Sequence, residues 1–177
     1  MPLTKIQSLG ITDGTIVNAD INASAAITTS KLSGGTNTPM FHAGRETSGQ
    51  SITKETATEV IFNVERFDTG SFYNTSNGRF TPTTAGKYFV YSQITLENAT
   101  INAYAEIQIR KNGSTLMVGR TGGNTNYFSN YTYGIIELNG TTDYISCFFY
   151  HEDSVTRNIF AQTDGIASFF GAYKIIE

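Results

Sequence analysis

The sequence has little cysteine, little charge and no long apolar run, and each shortage excludes a class of protein. Cys147 is the only cysteine among the 177 residues, so no disulfide framework can form within one chain. Charged residues make up 15% of the chain and the net charge is −3, which leaves no basic field to attract nucleic acid. No stretch is long enough to span a bilayer, and residues 1–32 lack the pattern of a signal peptide. We therefore expect a soluble protein, made in the cytoplasm, that binds no nucleic acid and inserts into no membrane.

Glycine, threonine, aromatic and β-branched residues are abundant instead, and they favour strands over helices. Asn-Gly, a strong hairpin signal, occurs at Asn77-Gly78, Asn112-Gly113 and Asn139-Gly140. Cys147 lies in an apolar run and is expected to be a small buried hydrophobic residue. The spacing of turn signals predicts an all-β, ten-strand jelly-roll sandwich. The predicted strands cover residues 39–43, 58–64, 79–81, 87–96, 103–111, 114–118, 131–138, 144–150, 157–162 and 167–175.

Two of these strands, 144–150 and 167–175, are apolar or aromatic on both faces. A solvated antiparallel strand alternates apolar with polar residues, so a strand that is apolar on both faces needs a cover on each. A subunit interface would supply the second cover, and a central position in a larger layer is the alternative. The candidates for the subunit interface or the core are Tyr144, Phe148, Tyr150, Phe169, Phe170 and Tyr173.

Several motifs in order resemble the globular head shared by the complement 1q and tumour necrosis factor superfamilies. The clearest is Asn77-Gly78-Arg79-Phe80-Thr81-Pro82, continued by Gly86-Lys87-Tyr88-Phe89. Lys111-Asn112-Gly113 and the closing Ser168-Phe169-Phe170-Gly171 are similar to further family motifs. The resemblance covers about residues 40–176 and implies a jelly roll that assembles as a compact homotrimer around a threefold axis. The loop carboxylates that bind calcium in some family members have no match here.

The first 35 residues follow a different pattern. Isoleucine or leucine recurs with steps of five or six, which fits neither a helix nor a strand, at Ile6, Ile11, Ile16, Ile21, Ile27 and Leu32. Such a stripe forms no core within one chain and is buried by stacking on copies or on a partner; a disordered polar tail is the alternative. Residues 11–32 resemble repeats in tail-fibre and other virion proteins of bacteriophages. We therefore predict an extended N-terminal arm over residues 1–35, for oligomerisation or virion attachment, and a head over residues 36–177.

The sequence contains no recognisable catalytic set, cofactor motif or metal-ligand spacing, and it predicts a protein that is not an enzyme. His151-Glu152-Asp153 is interpreted as a solvated loop. The polar and aromatic stretch 121–133 is the candidate for surface recognition, because such residues combine adaptable hydrogen bonds with flat aromatic area. A surface connection whose tyrosines pack back onto the sandwich is the alternative. The recognition candidates are Asn124, Asn126, Tyr127, Asn130, Tyr131 and Tyr133.

Together these patterns indicate a homotrimeric bacteriophage virion protein at the virion surface, with its arm on capsid or tail proteins and its head exposed. It would be a capsid decoration or cement protein, or a short fibre that contacts host surface glycan. A bacterial or spore surface adhesion module with a similar head is the alternative.

Overall fold

The structure is a computed structural model, which describes residues 36–99, 104–122, 127–163 and 166–176. The predicted arm and its stripe of Ile6, Ile11, Ile16, Ile21, Ile27 and Leu32 lie outside these residues. Residues Thr36–Glu177 form one compact unit. The described residues contain strands and no helix, and the strands are β1 (Met40–Gly44), β2 (Gln50–Ile52), β3 (Thr58–Glu59), β4 (Val64–Asp68), β5 (Tyr73–Asn74), β6 (Arg79–Phe80), β7 (Gly86–Glu97), β8 (Tyr104–Lys111), β9 (Ser114–Gly122), β10 (Tyr127–Leu138), β11 (Ile145–His151), β12 (Arg157–Ile159) and β13 (Phe169–Lys174).

Two antiparallel sheets make up the sandwich. The first sheet has the order β2-β12-β7-β13-β1-β4, and β10 pairs with the other side of β7 along its whole length. The second sheet has the order β5-β6-β11-β8-β9, and β3 also pairs with β11. Consecutive strands often lie in different sheets, as they do in a jelly roll. The predicted all-β jelly roll is therefore confirmed, with thirteen strands in the described residues where the sequence predicted ten.

The core lies between the two sheets and follows the period-two alternation of the strands. In β7, Tyr88, Val90, Ile94 and Leu96 point inward and are buried. Cys147 of β11 is fully buried in the same core, as predicted, and burial raises the pKa of its thiol to about 12. The inward-facing aromatic rings pack against one another, with the Phe41 ring stacked on Phe80 at 4.4 Å between centroids. The largest fully buried side chains are Tyr88, Phe41, Phe62, Phe80, Phe149, Phe170, Ile52, Ile94, Leu96, Ile107, Ile109 and Leu138.

The predicted strand over residues 58–64 is wrong, because the segment forms two short strands, β3 and β4, with an irregular stretch between them. Val60 N still donates to Cys147 O at 2.8 Å, but beyond it side chains satisfy the backbone in place of a ladder. Gln50 Nε2 donates to Glu59 O at 2.6 Å, and Ile61 N donates to Gln50 Oε1 at 2.8 Å. Tyr73 Oη lies 3.1 Å from both Phe62 N and Phe62 O. Local propensity favoured a continuous strand, and these side-chain bonds override it.

The three Asn-Gly pairs do not all make hairpins. Asn112-Gly113 joins the paired strands β8 and β9, and Asn77-Gly78 lies between the paired strands β5 and β6. Asn139-Gly140 instead connects β10 to β11, which belong to different sheets. Gly113 and Asn112 both have positive φ, 82° and 51°, which matches the tight turn expected there.

The predicted recognition segment 121–133 is largely strand. β9 continues to Gly122 and β10 begins at Tyr127, whereas the sequence placed the ends of these strands at residues 118 and 131. Asn130 is buried, and its Nδ2 donates to Ala105 O and to Gly119 O, both at 3.1 Å. The side chain therefore connects β10 of the first sheet to the two strands at the edge of the second sheet.

Candidate functional site

The outer face of the first sheet carries a field of aromatic side chains that the described part of the chain leaves open. We call it the aromatic face. It is formed by the outward-pointing residues of β4, β1, β13, β7 and β10: Phe67, Met40, His42, Phe169, Tyr173, Phe89, Tyr91, Tyr131, Tyr133 and Ile135. Tyr131 and Tyr133 are each 64% exposed, and Ile135 is 59% exposed.

Strand register aligns these residues in rows across the sheet. The central row crosses five strands as Phe67, His42, Gly171, Tyr91 and Tyr133. The row on one side is Met40, Tyr173, Phe89 and Ile135, and the row on the other side includes Phe169, Gln93 and Tyr131. Cross-strand aromatic neighbours of this kind stabilise a sheet and give it a stiff, well-defined surface.

The rings contact one another across the rows. Phe89 lies 5.4 Å from Tyr173 and 6.2 Å from Tyr133 between ring centroids. Tyr131 and Tyr133 have parallel ring planes with centroids 6.4 Å apart. Because β10 is an edge strand, these two tyrosines lie at one margin of the aromatic face.

Two shallow grooves run over the aromatic face. One, of about 240 Å³, is lined by Asn37, Met40, Phe67, Tyr91, Ala172 and Tyr173. The other, of about 300 Å³, is lined by Phe89, Tyr91, Ser92, Gln93, Tyr131, Thr132, Tyr133 and Phe169. Both grooves are mainly apolar, so they suit apolar or aromatic side chains better than a charged ligand.

His42 lies in the centre of the aromatic face, surrounded by rings. Its ring centroid is 5.9 Å from that of Phe67, 5.8 Å from that of Tyr91 and 5.4 Å from that of Phe169. Its Nδ1 is 3.1 Å from Tyr91 Oη. Burial lowers the pKa of His42, and the Arg66 guanidinium lowers it further, while the Glu46 carboxylate opposes them.

Glu46 and Arg66 form a tight ion pair beside this histidine. Arg66 Nε and Nη2 each lie 2.6 Å from an oxygen of Glu46, whose side chain is almost fully buried. Arg66 also donates to Thr163 O at 3.0 Å. The pair fixes the loop after β1 against β4, and the two charges largely offset each other where they face His42.

The six interface or core candidates of the sequence separate into three places. Phe170 belongs to the core, and Phe169 and Tyr173 belong to the aromatic face. Tyr144, Phe148 and Tyr150 lie on the outer face of the second sheet, where they are half-buried.

The second cover expected for strand 144–150 is supplied by the chain itself. The Arg110 guanidinium lies 3.8 Å from the Phe148 ring centroid, and that of Arg79 lies 4.3 Å from the Tyr144 ring centroid. Tyr150 packs edge-on against Tyr104. Long arginine side chains can cover aromatic surface while their charge stays near water. The need for a subunit at this strand is therefore not supported, and the open apolar surface lies on the other sheet.

The recognition candidates also differ in their placement. Asn130 is buried between the sheets, so its prediction as a surface recognition residue is wrong. Tyr131 and Tyr133 belong to the aromatic face, and Tyr127 packs against Phe160 at 4.9 Å between ring centroids. Asn124 and Asn126 lie outside the described residues.

The most aromatic strand of the face, β7, was not among the interface candidates predicted from the sequence. Phe89 and Tyr91 alternate with the buried Tyr88 and Val90, so this strand is also aromatic on both faces. Like strand 144–150, β7 therefore needs a cover on each face. His42 and Phe67 could not be found in this way, because register alone places them beside Tyr91.

The interpretation of His151-Glu152-Asp153 as a solvated loop is wrong for His151 and Asp153, whereas Glu152 is exposed. His151 is fully buried, with Nε2 3.0 Å from Ile52 O and Nδ1 accepting from Asp153 N at 3.2 Å. Asp153 is buried too and forms an ion pair with Arg157 at 2.9 Å. These contacts give the segment a structural role in holding β2, β11 and β12 together.

Within the described residues, no group of three or more histidine, cysteine, aspartate or glutamate side chains could hold a metal ion. The part of the chain that the structure describes also has no helix long and apolar enough to cross a membrane.

No protein-family model matches the chain, and no curated protein matches it in sequence. Solved structures of similar fold do match. A crystal structure of murine APRIL at pH 8.5 aligns with a TM-score of 0.55 and 18% identity over 77% of this chain and 98% of that one. A structure of Eiger TNF from S. frugiperda aligns with a TM-score of 0.54 and 15% identity over 78% of this chain and 92% of that one. At these identities the likeness shows the fold, a jelly roll of the tumour necrosis factor type, and not the function.

Proposed function

We propose that the chain is a homotrimeric structural protein of a bacteriophage particle, with residues 1–35 attached to the particle and the head exposed. The aromatic face is the observation that carries the self-association. A contiguous open field of large aromatic side chains on a stiff sheet is typical of a protein interface, because isolated monomers seldom expose such patches.

A second copy of the chain is the occupant that fits this face best. The margin at β10 projects Tyr131, Tyr133 and Ile135, whereas the region of Phe67, Met40 and Tyr173 forms a groove. Two unlike patches on one surface suit a head-to-tail contact, which closes into a ring when the rotation allows it. The motif resemblance implies that this ring has three members.

The particle role rests on the arm. Its sequence resembles phage fibre repeats, and three arms held by one trimeric head raise one another's local concentration, which favours association of their isoleucine stripes. Decoration or cementing of a capsid fits better than glycan recognition. Of the recognition candidates, Asn130 is buried and both Tyr131 and Tyr133 belong to the face that the trimer would cover.

The assembly is tested by light scattering of the full chain and of two matched variants. Tyr133→Asp places a charge on the aromatic face, and Leu116→Asp places one at a comparably exposed position on β9 of the second sheet. We expect a trimer mass for the wild type and for Leu116→Asp, and a smaller mass for Tyr133→Asp with an unchanged β-sheet circular dichroism spectrum. A monomeric wild type, or equal loss in both variants, would contradict the proposal.

The location is tested by immunogold electron microscopy of the source particles with antibody against the head. Label over the shell supports a decoration protein, and label confined to the tail supports a fibre. Purified particles that carry no label would overturn the virion role while leaving the trimer standing.

A further inference from the structure

We propose that assembly through the aromatic face is coupled to the charge of His42, so that mildly acidic pH dissociates the oligomer while the jelly roll stays folded. This inference rests on the proposed self-association and specifies its regulation.

The position of His42 is the first step. It occupies the central row of the aromatic face, between Phe67 and Gly171 in register. The three rows otherwise contain only apolar residues, tyrosines and Gln93. His42 is therefore the only side chain of these rows that changes its charge between about pH 5 and 8.

Within the described part of the chain, the groups that face His42 do not offer its cation a dedicated partner. From β4 come Phe67 and Arg66, from β13 comes Phe169, and from β7 comes Tyr91. Among the described residues, Glu46 in the loop after β1 is the one carboxylate that acts on His42, and Arg66 hydrogen-bonds both of its oxygens. Tyr91 remains neutral in this pH range, because burial raises its pKa above the usual value for a tyrosine, which is itself about 10.

The bond to Tyr91 distinguishes the two charge states of the imidazole. When Nδ1 is unprotonated, Tyr91 Oη donates to it at 3.1 Å. In the cation both ring nitrogens carry hydrogen, so Tyr91 Oη has to accept and its own hydrogen turns toward the surface that a second copy would cover. Protonation thus adds a charge and an unpaired donor to an apolar interface at the same time.

The sign of the coupling follows from burial. His42 already has a lowered pKa in the isolated head, and covering it with a second copy lowers that pKa further. The assembly is therefore at full strength above the pKa of the dissociated chain and weakens as the pH falls below it. At pH values well below that pKa, each protomer lowers the association constant by at most about tenfold per pH unit. For a trimer this limit is about a thousandfold per pH unit.

The experiment measures the association constant of the full chain at pH 7.5 and pH 5.5 by sedimentation velocity, with circular dichroism at both values. If the assembly is too tight for free chains to be detected, the rate of subunit exchange is measured instead of the association constant. Two pools of the protein that carry different N-terminal labels are mixed for this purpose. His42→Gln is the matched variant, because its amide can accept from Tyr91 but does not titrate. The quantity compared is the ratio of the association constants at pH 7.5 and pH 5.5 within each protein. A weaker interface in the variant therefore does not affect the comparison.

We expect at least a tenfold weakening at pH 5.5 for the wild type, with an unchanged spectrum, and a ratio near one for His42→Gln. A wild-type trimer with the same constant at both pH values overturns the coupling and leaves the proposed function intact. Equal acid sensitivity in the variant also overturns it, because a titratable group other than His42 would then be responsible. A wild type that is monomeric at pH 7.5 overturns both proposals together.

Discussion

The ring of Tyr91 lies over the backbone of Gly171. Because Gly171 has no side chain, the Tyr91 hydroxyl reaches His42 on the far side of β13. A Cβ built on Gly171 would lie 2.4 Å from both Cζ and Oη of Tyr91. Tyr91 Oη in turn lies 3.1 Å from His42 Nδ1. The centre of the aromatic face therefore depends on a glycine in the middle of a strand, where a close approach is the usual reason for one.

Gly171→Ala should displace Tyr91 and break its bond to His42. We expect a loss of about 1–3 kcal/mol in the free energy of unfolding, as for other overpacked sites, together with weaker assembly. Gly134→Ala in β10 is the control, since its Cβ would meet Met117 Sδ at 2.7 Å, near the end of a flexible side chain that can move. Urea unfolding of both variants checks the difference, and equal losses would argue against a special role for Gly171.

Two buried serines should respond in opposite ways to alanine. Ser146 Oγ is buried and has no hydrogen-bond partner among the described residues, whereas Ser92 Oγ donates to Phe169 O at 2.7 Å. Ser146→Ala should leave the free energy of unfolding unchanged or raise it slightly, and Ser92→Ala should lower it by about 1–2 kcal/mol. Denaturant unfolding of the pair is the measurement. A larger loss for Ser146→Ala than for Ser92→Ala would mean that Ser146 has a partner.

Asn130→Ala should destabilise the sandwich, because the buried carbonyl oxygen of Ala105 and the partly buried one of Gly119 lose this side-chain donor. We expect a loss of about 1–3 kcal/mol. Glu137→Ala, at an exposed position on the same strand, should change little. Thermal unfolding distinguishes the two. Equal melting temperatures for Asn130→Ala and Glu137→Ala would show that the two hydrogen bonds of Asn130 contribute nothing to stability.

Asp143 should make the head sensitive to acid. Lys111 Nζ at 2.8 Å, Asn112 Nδ2 at 2.7 Å and Asn139 N at 2.9 Å surround its carboxylate. The bond from Lys111, followed by that from Asn112, lowers the pKa of Asp143 in the folded chain. Its contribution is therefore present above the unfolded value, about 4, and is lost as the pH falls through the lower folded value.

Asp143→Asn should thus be less stable than the wild type at pH 7, and the difference should shrink as the pH falls toward 3. Lys111→Met should also reduce the stability difference that Asp143→Asn causes at pH 7, because the Lys111 substitution removes the main cause of the lowered pKa of Asp143. Unfolding curves measured between pH 7 and pH 3 provide the check. Parallel stability profiles for the wild type and Asp143→Asn would show that this carboxylate is not coupled to folding.

Much of the architecture was predictable from the sequence because it depends on local chemistry. Period-two alternation located most strands, as in 87–96 for β7, and Asn112-Gly113 located a hairpin. The predicted strand bounds were wrong where side-chain hydrogen bonds replaced backbone pairing, as at Gln50 and Tyr73. They were also wrong where a polar strand had the composition of a loop, as at the start of β10. In both cases a partner far along the chain decided the conformation.

The sequence by itself determined that the head is an all-β jelly roll with a buried Cys147, because alternation, turn residues and propensity are properties of neighbouring residues. Only the tertiary structure decided which apolar strand face stays open. Phe148 and Tyr144 are covered by Arg110 and Arg79, whereas Phe89, Tyr91 and Tyr133 have no such cover from the described residues. It also placed His42 beside Tyr91, since strand register brings together residues 49 positions apart in the chain. Whether a given aromatic side chain is core, covered surface or interface depends on what lies across the sheet from it, and the order of residues along one strand does not contain that information.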